Sequence, residues 1–186
     1  SNTSTVTYMI NCPWSPDTKN LKRPFDKNAD IGYRLYSDTD LGIKFYYPIE
    51  WSVSKSMKQE GELGLYTLAY TLNPIKINPD TLNPSLQILV VPLSGNSFKT
   101  VLESASANNL DQNYDTPEFT GILFNDRCAS EETIENTHEQ YGKIKAYSIK
   151  LLIDDMLYNF LYWAPTDQFD KYLPKILKII GSIELV

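Results

Sequence analysis

The stretch GIKFYYPIEWSVS, residues 42–54, decides the fold. Ile43, Phe45 and Tyr47 alternate with Lys44 and Tyr46, which is the period of a half-buried strand. Leu41 extends the same apolar face by one step. Pro48 has no N–H to give to a ladder, so the strand ends there. Ile49-Glu50 then makes a corner, and Trp51–Val53 opens the next strand. Phe45, Tyr47 and Trp51 are therefore expected in the core. Tyr46 points the other way and is the expected exposed contact.

Working outward, Ile31, Tyr33 and Leu35 alternate with Gly32, Arg34 and Tyr36 and predict a preceding strand. The polar run Ser37-Asp38-Thr39-Asp40 joins the two as a hairpin. Downstream, Leu63–Leu72 (LGLYTLAYTL) predicts another strand. The segment that follows carries three Asn-Pro dipeptides between residues 73 and 84, so it reads as a surface excursion. Leu86–Leu93 (LQILVVPL) is a continuous apolar run, short enough to be a central strand covered on both faces.

The period then changes. Phe98, Val101, Leu102, Ala105 and Asn109 fall at helical spacing, with Asn96 and Ser97 ahead of them as N-cap types. Strand character resumes at Phe119–Phe124 and, in polar alternation, at Thr133–Tyr141. Ile144–Ile153 and Met156–Trp163 flank Asp154-Asp155 and predict a tight hairpin. Phe169, Tyr172, Leu173, Ile176, Ile179 and Ile180 form the apolar face of a terminal helix. Asp167 or Asp170 is its expected cap, Pro174 should delay or kink it, and Gly181 suits its exit. Ile183–Val186 adds a short last strand. No internal repeat is present.

Strands, helix, strands, helix: the expected architecture is α+β, an antiparallel β-sheet packed between helices. The 186 residues fit one domain over 31–186. Residues 1–30, polar and proline-rich around Trp14, read as an N-terminal arm or tether.

The formal charge is −6 and no block of five like charges occurs. Nucleic acid is therefore not an expected partner, since phosphate binding needs a clustered basic footprint. No apolar run approaches the roughly 20 residues of a membrane span. The polar start without an initiator Met reads as a processed form, tethered to a membrane through sequence upstream of Ser1. Two cysteines, Cys12 and Cys128, allow one disulfide. It would stabilise the fold by roughly 4–5 kcal/mol in the chain-entropy model. The alternative is two unrelated thiols.

GIKFYYPIEWSV resembles the F-x-Y-P-x-x-W opening of the PsbP-like family. SLQILVVPL followed by SFKTVLESA is similar to that family's central strand and following helix. YNFLYWAPTDQFDKYLPKILKIIGSIEL resembles its aromatic strand, acidic loop and closing helix. The resemblance spans about residues 40–186. It implies the α/β/α sandwich shared by PsbP and the Mog-type Ran-binding proteins. It also implies an extracytoplasmic protein, secreted or anchored as a lipoprotein, with an accessory role.

Chemistry is sparse. The single histidine, His138, lies in a polar strand, where a solvated surface role is usual. Paired with Cys128 it could form a nucleophile and base, but no third group presents itself, so a hydrolase is the least favoured reading. Zinc would want more Cys or His than the chain has. The acidic groups Asp38-Thr39-Asp40, Asp154-Asp155 and Glu131-Glu132-Glu135 read as solvated hairpin ends before they read as cation sites. No cofactor is expected. Binding is the class that remains. Tyr46, Trp14 and the excursion residues Asn73, Pro74, Asn78 and Pro79 are the expected contact residues. The first reading is a non-enzymatic interaction domain with a protein partner at the cell envelope. The alternative is a small-ligand carrier with a pocket between sheet and helices.

Overall fold

The computed structural model describes residues 20–21, 26, 31–39, 42–59, 66–74, 80, 82–92, 120–153 and 156–185. The expected helix over Phe98–Asn109, as well as Trp14, Cys12, Asn78 and Pro79, lies outside the described residues.

The described residues form β1 (Asn20–Leu21), β2 (Tyr33–Asp38), β3 (Ile43–Pro48), β4 (Trp51–Gln59), β5 (Tyr66–Pro74) and β6 (Ser85–Pro92). There follow β7 (Thr120–Phe124), β8 (Arg127–His138), β9 (Gly142–Ile153), β10 (Met156–Pro165), α1 (Thr166–Gly181) and β11 (Glu184–Leu185). Two sheets result. The large one has the order β1-β7-β8-β9-β10-β6-β5-β4, the small one β11-β3-β2.

This corrects the α+β expectation of an antiparallel sheet packed between helices. Among the described residues strands dominate and α1 is the one helix. The large sheet is also mixed, because β1 runs parallel to β7. The reason is strand length. β8 and β9 each run for 12 residues and β10 for 10, where the sequence pattern suggested shorter pieces. The expected strand at Thr133 begins at Arg127, because Asn125 and Asp126 take φ of 47° and 64°. Two consecutive positive φ values are what a two-residue type I′ hairpin needs. Likewise, Asn20-Leu21, within the stretch read as an arm, pair with Leu123 and Phe124 of β7.

Much of the local reading holds. β2 and β3 pair as a hairpin. β3 ends at Pro48, Ile49-Glu50 turns, and Trp51 opens β4. Phe45 and Trp51 are buried, while Tyr47 is half-buried against the core. β6 is central, between β5 and β10. Ile153 and Met156 face each other across the expected tight hairpin.

The core lies on one face of the large sheet, between it and α1 with the small sheet. Leu86 and Ile88 of β6, Phe160 and Tyr162 of β10, and Ile149 and Leu151 of β9 are all buried there. Register puts Ile88 and Ile149 on either side of Phe160. From α1 come Phe169, Ile176, Ile179 and Ile180. The Phe169 and Tyr162 rings stack at 4.8 Å between centroids, and the Tyr162 hydroxyl donates to the Phe169 carbonyl at 2.8 Å.

The expected side-chain cap on α1 is absent. Strand runs straight into helix at Pro165, which has no capping group, and Asp167 sits in the first turn. An acidic residue there still complements the helix dipole, as Lys178 does in the last turn. The helix passes through Pro174, so apolar burial on its inner face outweighs the missing backbone bond. Its far end is tied to the small sheet by Ser182. That hydroxyl accepts the Tyr46 N–H at 2.9 Å and donates to the Ile179 carbonyl at 2.7 Å. The closing I-G-S-I of the sequence thus has a physical role.

Candidate functional site: a pocket on the outer face of the large sheet

In β9, side chains alternate between faces. Tyr147, Ile149 and Leu151 enter the core. Ile144, Ala146, Ser148 and Lys150 face the other way, on the side of the sheet opposite α1. Register aligns them in rows: Ile134–Ala146–Trp163, then Glu132–Ser148–Leu161, then Ser130–Lys150–Asn159. A cavity of about 380 Å³ opens over these rows. That is within the size range of small-molecule sites.

The site has two unlike ends. Ile134, Ile144, Ala146, Leu161 and Trp163 make an apolar wall, joined by Leu82 and by Tyr141 of the β8–β9 turn. Beyond them the lining becomes polar and buried. Lys150 and Glu132 are 4% and 5% exposed, with Lys150 Nζ 3.6 Å from Glu132 Oε2. The Ser148 hydroxyl donates to Asn159 Oδ1 at 2.9 Å. A buried charge of either sign needs a partner, and here each supplies the other's. Among the described residues the two charges at this end cancel.

At the mouth, His138 is exposed and its Nδ1 accepts the Gln140 N–H at 3.1 Å. Its ring lies 4.9 Å from that of Tyr141. It stands six residue steps along β8 from Glu132, about 20 Å at the usual rise. Cys128 stands farther along the same strand, about 33 Å from His138 on that rise. The structure does not bring the Cys128–His138 pair together.

Asp38, Glu131 and Glu132 are not simple hairpin ends, whereas Asp40, Asp154 and Asp155 lie outside the described residues. Asp38 is 8% exposed and accepts from Lys55 Nζ at 2.6 Å and the Tyr70 hydroxyl at 2.7 Å. Glu131 and Glu132 point to opposite faces. Glu131 accepts from the Tyr147 hydroxyl, while Glu132 faces the pocket. Burial first, and the carboxylate bond second, hold the Tyr70 and Tyr147 phenols well above the ordinary range. Among the described residues no three His, Cys, Asp or Glu side chains converge as a metal site would require.

The expected contact residues fall elsewhere. Tyr46 is half-buried, with its backbone tied to Ser182. Asn73 and Pro74 end β5, and the Asn73 amide donates to the Pro84 carbonyl at 3.1 Å, clasping the base of the excursion. The excursion meets the pocket through Leu82. Sequence reasoning saw Glu132 only as part of an acidic cluster, and missed Ser148, Lys150, Asn159 and Trp163. One signal was available: Lys150 interrupts the apolar run YSIKLLI.

Compared with solved structures, the chain resembles cyanobacterial PsbP (CyanoP) from Synechocystis sp. PCC 6803. The TM-score is 0.57 and the identity 13%, over 83% of this chain and 93% of that one. A protein from Bacteroides thetaiotaomicron aligns at a TM-score of 0.46 and 11% identity, over 84% of this chain and 49% of that one. No protein-family model matches the chain, and no curated protein matches it in sequence. The fold is PsbP-like.

Proposed function

We propose that this chain is a non-catalytic binding domain, an extracytoplasmic accessory module whose working site is the outer-face pocket for a small, largely apolar ligand. The observation that carries this reading is the pocket's construction: an apolar wall ending in a buried, internally neutralised polar group. That build suits orienting a ligand. Its titratable groups are spaced too widely along β8 for His138 and Glu132 to share a proton. The extracytoplasmic setting and accessory role rest on the PsbP-like resemblance.

A thermal-shift screen of small amphiphiles tests the reading, run on the protein and on Ala146→Phe, which fills the apolar end. At least one compound should raise Tm in the original chain and not in the filled variant. Equal responses in both, or none in either, would remove the pocket as the working site.

A protein-partner reading has its own support. Ile31, Leu35 and Ile49 are 85%, 51% and 45% exposed, and they cluster at the β2–β3 hairpin. Leu35 faces Tyr46 across the ladder, and β2 is the edge strand of the small sheet. Exposed apolar groups beside an edge strand are a common contact surface.

A further inference from the structure

The polar end of the pocket carries information about which head group it accepts. Ser148 gives its hydrogen to Asn159 Oδ1, which engages that carbonyl and leaves the Asn159 NH₂ to donate. Lys150 is an ammonium with three N–H donors. Its contact with Glu132 at 3.6 Å is longer than a good charge-assisted hydrogen bond. Among the described residues it has no other partner. Two donors from one row, Lys150 and Asn159 directly opposite one another, therefore stand at the inner end. Glu132 lines the same end and is an acceptor for any donor the head group also carries. A head group that accepts would be satisfied.

Charge decides between the acceptors. Among the described residues Glu132 already balances Lys150. A carboxylate, sulfonate or phosphate placed there would leave one uncompensated negative charge in a site whose charged residues are 4% and 5% exposed. Desolvating an unpaired ion is far costlier than desolvating a carbonyl that gains hydrogen bonds. At the other end, Trp163, Leu161, Ile134 and Ala146 offer a flat apolar surface, suited to a ring or a short hydrocarbon chain.

Resting on the pocket reading above, we propose that the site binds an uncharged amphiphile: an apolar, ring-sized body with a terminal carbonyl acceptor, the carbonyl held by Lys150 and Asn159 and the body laid on Trp163, Leu161 and Ala146. Ketones, esters and amides of this shape belong to the class. Fatty-acid anions do not.

The test is a fluorescence titration of the purified chain with prodan, an uncharged naphthyl ketone whose emission shifts to the blue in apolar surroundings. Three comparison ligands are used: its carbonyl-free propyl analogue, the anionic probe anilinonaphthalene sulfonate, and decanoate as a competitor. Prodan should bind with a blue shift, and Asn159→Leu should weaken it about 3- to 10-fold, the worth of one hydrogen bond. The same substitution should leave the carbonyl-free analogue unchanged, which separates loss of the head-group contact from damage to the fold. Ala146→Phe should abolish binding of both. If the sulfonate or decanoate binds as tightly as prodan, the pocket is an anion site and the proposed class is wrong while the pocket stands. Equal binding of prodan and its carbonyl-free analogue would also overturn the class. If no probe binds, or Ala146→Phe changes nothing, the pocket reading fails with it.

Discussion

The Tyr70 hydroxyl donates to Asp38 Oδ2 at 2.7 Å, and in doing so joins the small sheet to the large one. Asp38 ends β2, Tyr70 lies in β5, and Lys55 of β4 closes the group at 2.6 Å. Around it the Tyr36 and Phe45 rings stack at 5.1 Å, with the Tyr70 ring edge-on to both. Tyr70→Phe keeps the packing and removes one hydrogen bond to a charged acceptor. It should destabilise the protein by about 1.5–3 kcal/mol, read by chemical denaturation. A change below about 0.5 kcal/mol would mean the bond contributes nothing net.

Alkaline stability follows from the same chemistry. Burial raises the pKa of Tyr70, Tyr147 and Tyr162, helped at the first two by bonds to Asp38 and Glu131. In the unfolded chain these phenols ionise near pH 10. Above that, the unfolded state binds fewer protons than the folded one, so stability falls as pH rises. Below it, the contribution is fully present. Absorbance titration should therefore show a late group of tyrosines that ionise together with the loss of near-ultraviolet circular dichroism. Smooth ionisation of all tyrosines without unfolding would contradict this.

The Lys150–Glu132 pair makes a prediction about coupling. Lys150→Met strands a buried carboxylate and should cost about 3–5 kcal/mol. Adding Glu132→Gln removes the stranded charge and should recover most of that loss. Additive losses in the double variant would mean the two groups do not neutralise each other.

Pro174 is an exposed proline inside α1. It leaves the Asp170 carbonyl without its helical N–H. Pro174→Ala should restore that bond and raise stability by about 1–3 kcal/mol, seen as a higher Tm. A fall in Tm would show that the proline's rigidity is what the native helix needs.

Leu35→Lys probes the protein-partner surface. At 51% exposure the change should alter stability by no more than about 0.5 kcal/mol. It should still weaken capture of any envelope partner in a crosslinking pull-down. Unchanged capture would take the β2–β3 face out of consideration.

How much of this was legible in the sequence depends on the kind of signal. Alternation and proline placement located the β2–β3 hairpin, the corner at Ile49-Glu50 and the central β6, because each is a local pattern with a steric cause. The pairing of β9 with β10 was legible for the same reason. Strand length was not. Polar alternation in β8 looked like a short wet strand, yet Asn125-Asp126 starts it at Arg127, and its two faces meet different surroundings. That also hid the site. Glu131 and Glu132 look like one acidic cluster in sequence, and only the pleat sends one to Tyr147 and the other to Lys150. Asp38 looked like a turn residue, and only the long-range contact with Tyr70 and Lys55 shows it as a joint between sheets. The pocket is a property of register across β8, β9 and β10, which no single segment encodes.

The most direct measurement is chemical-shift mapping of the isotopically labelled chain titrated with prodan. The expected result is a set of shifts confined to Ile134, Ala146, Ser148, Lys150 and Leu161 amides and the Trp163 indole. Shifts gathered instead around Ile31, Leu35 and Ile49, or none at saturating probe, would contradict a ligand site on the outer face of the sheet.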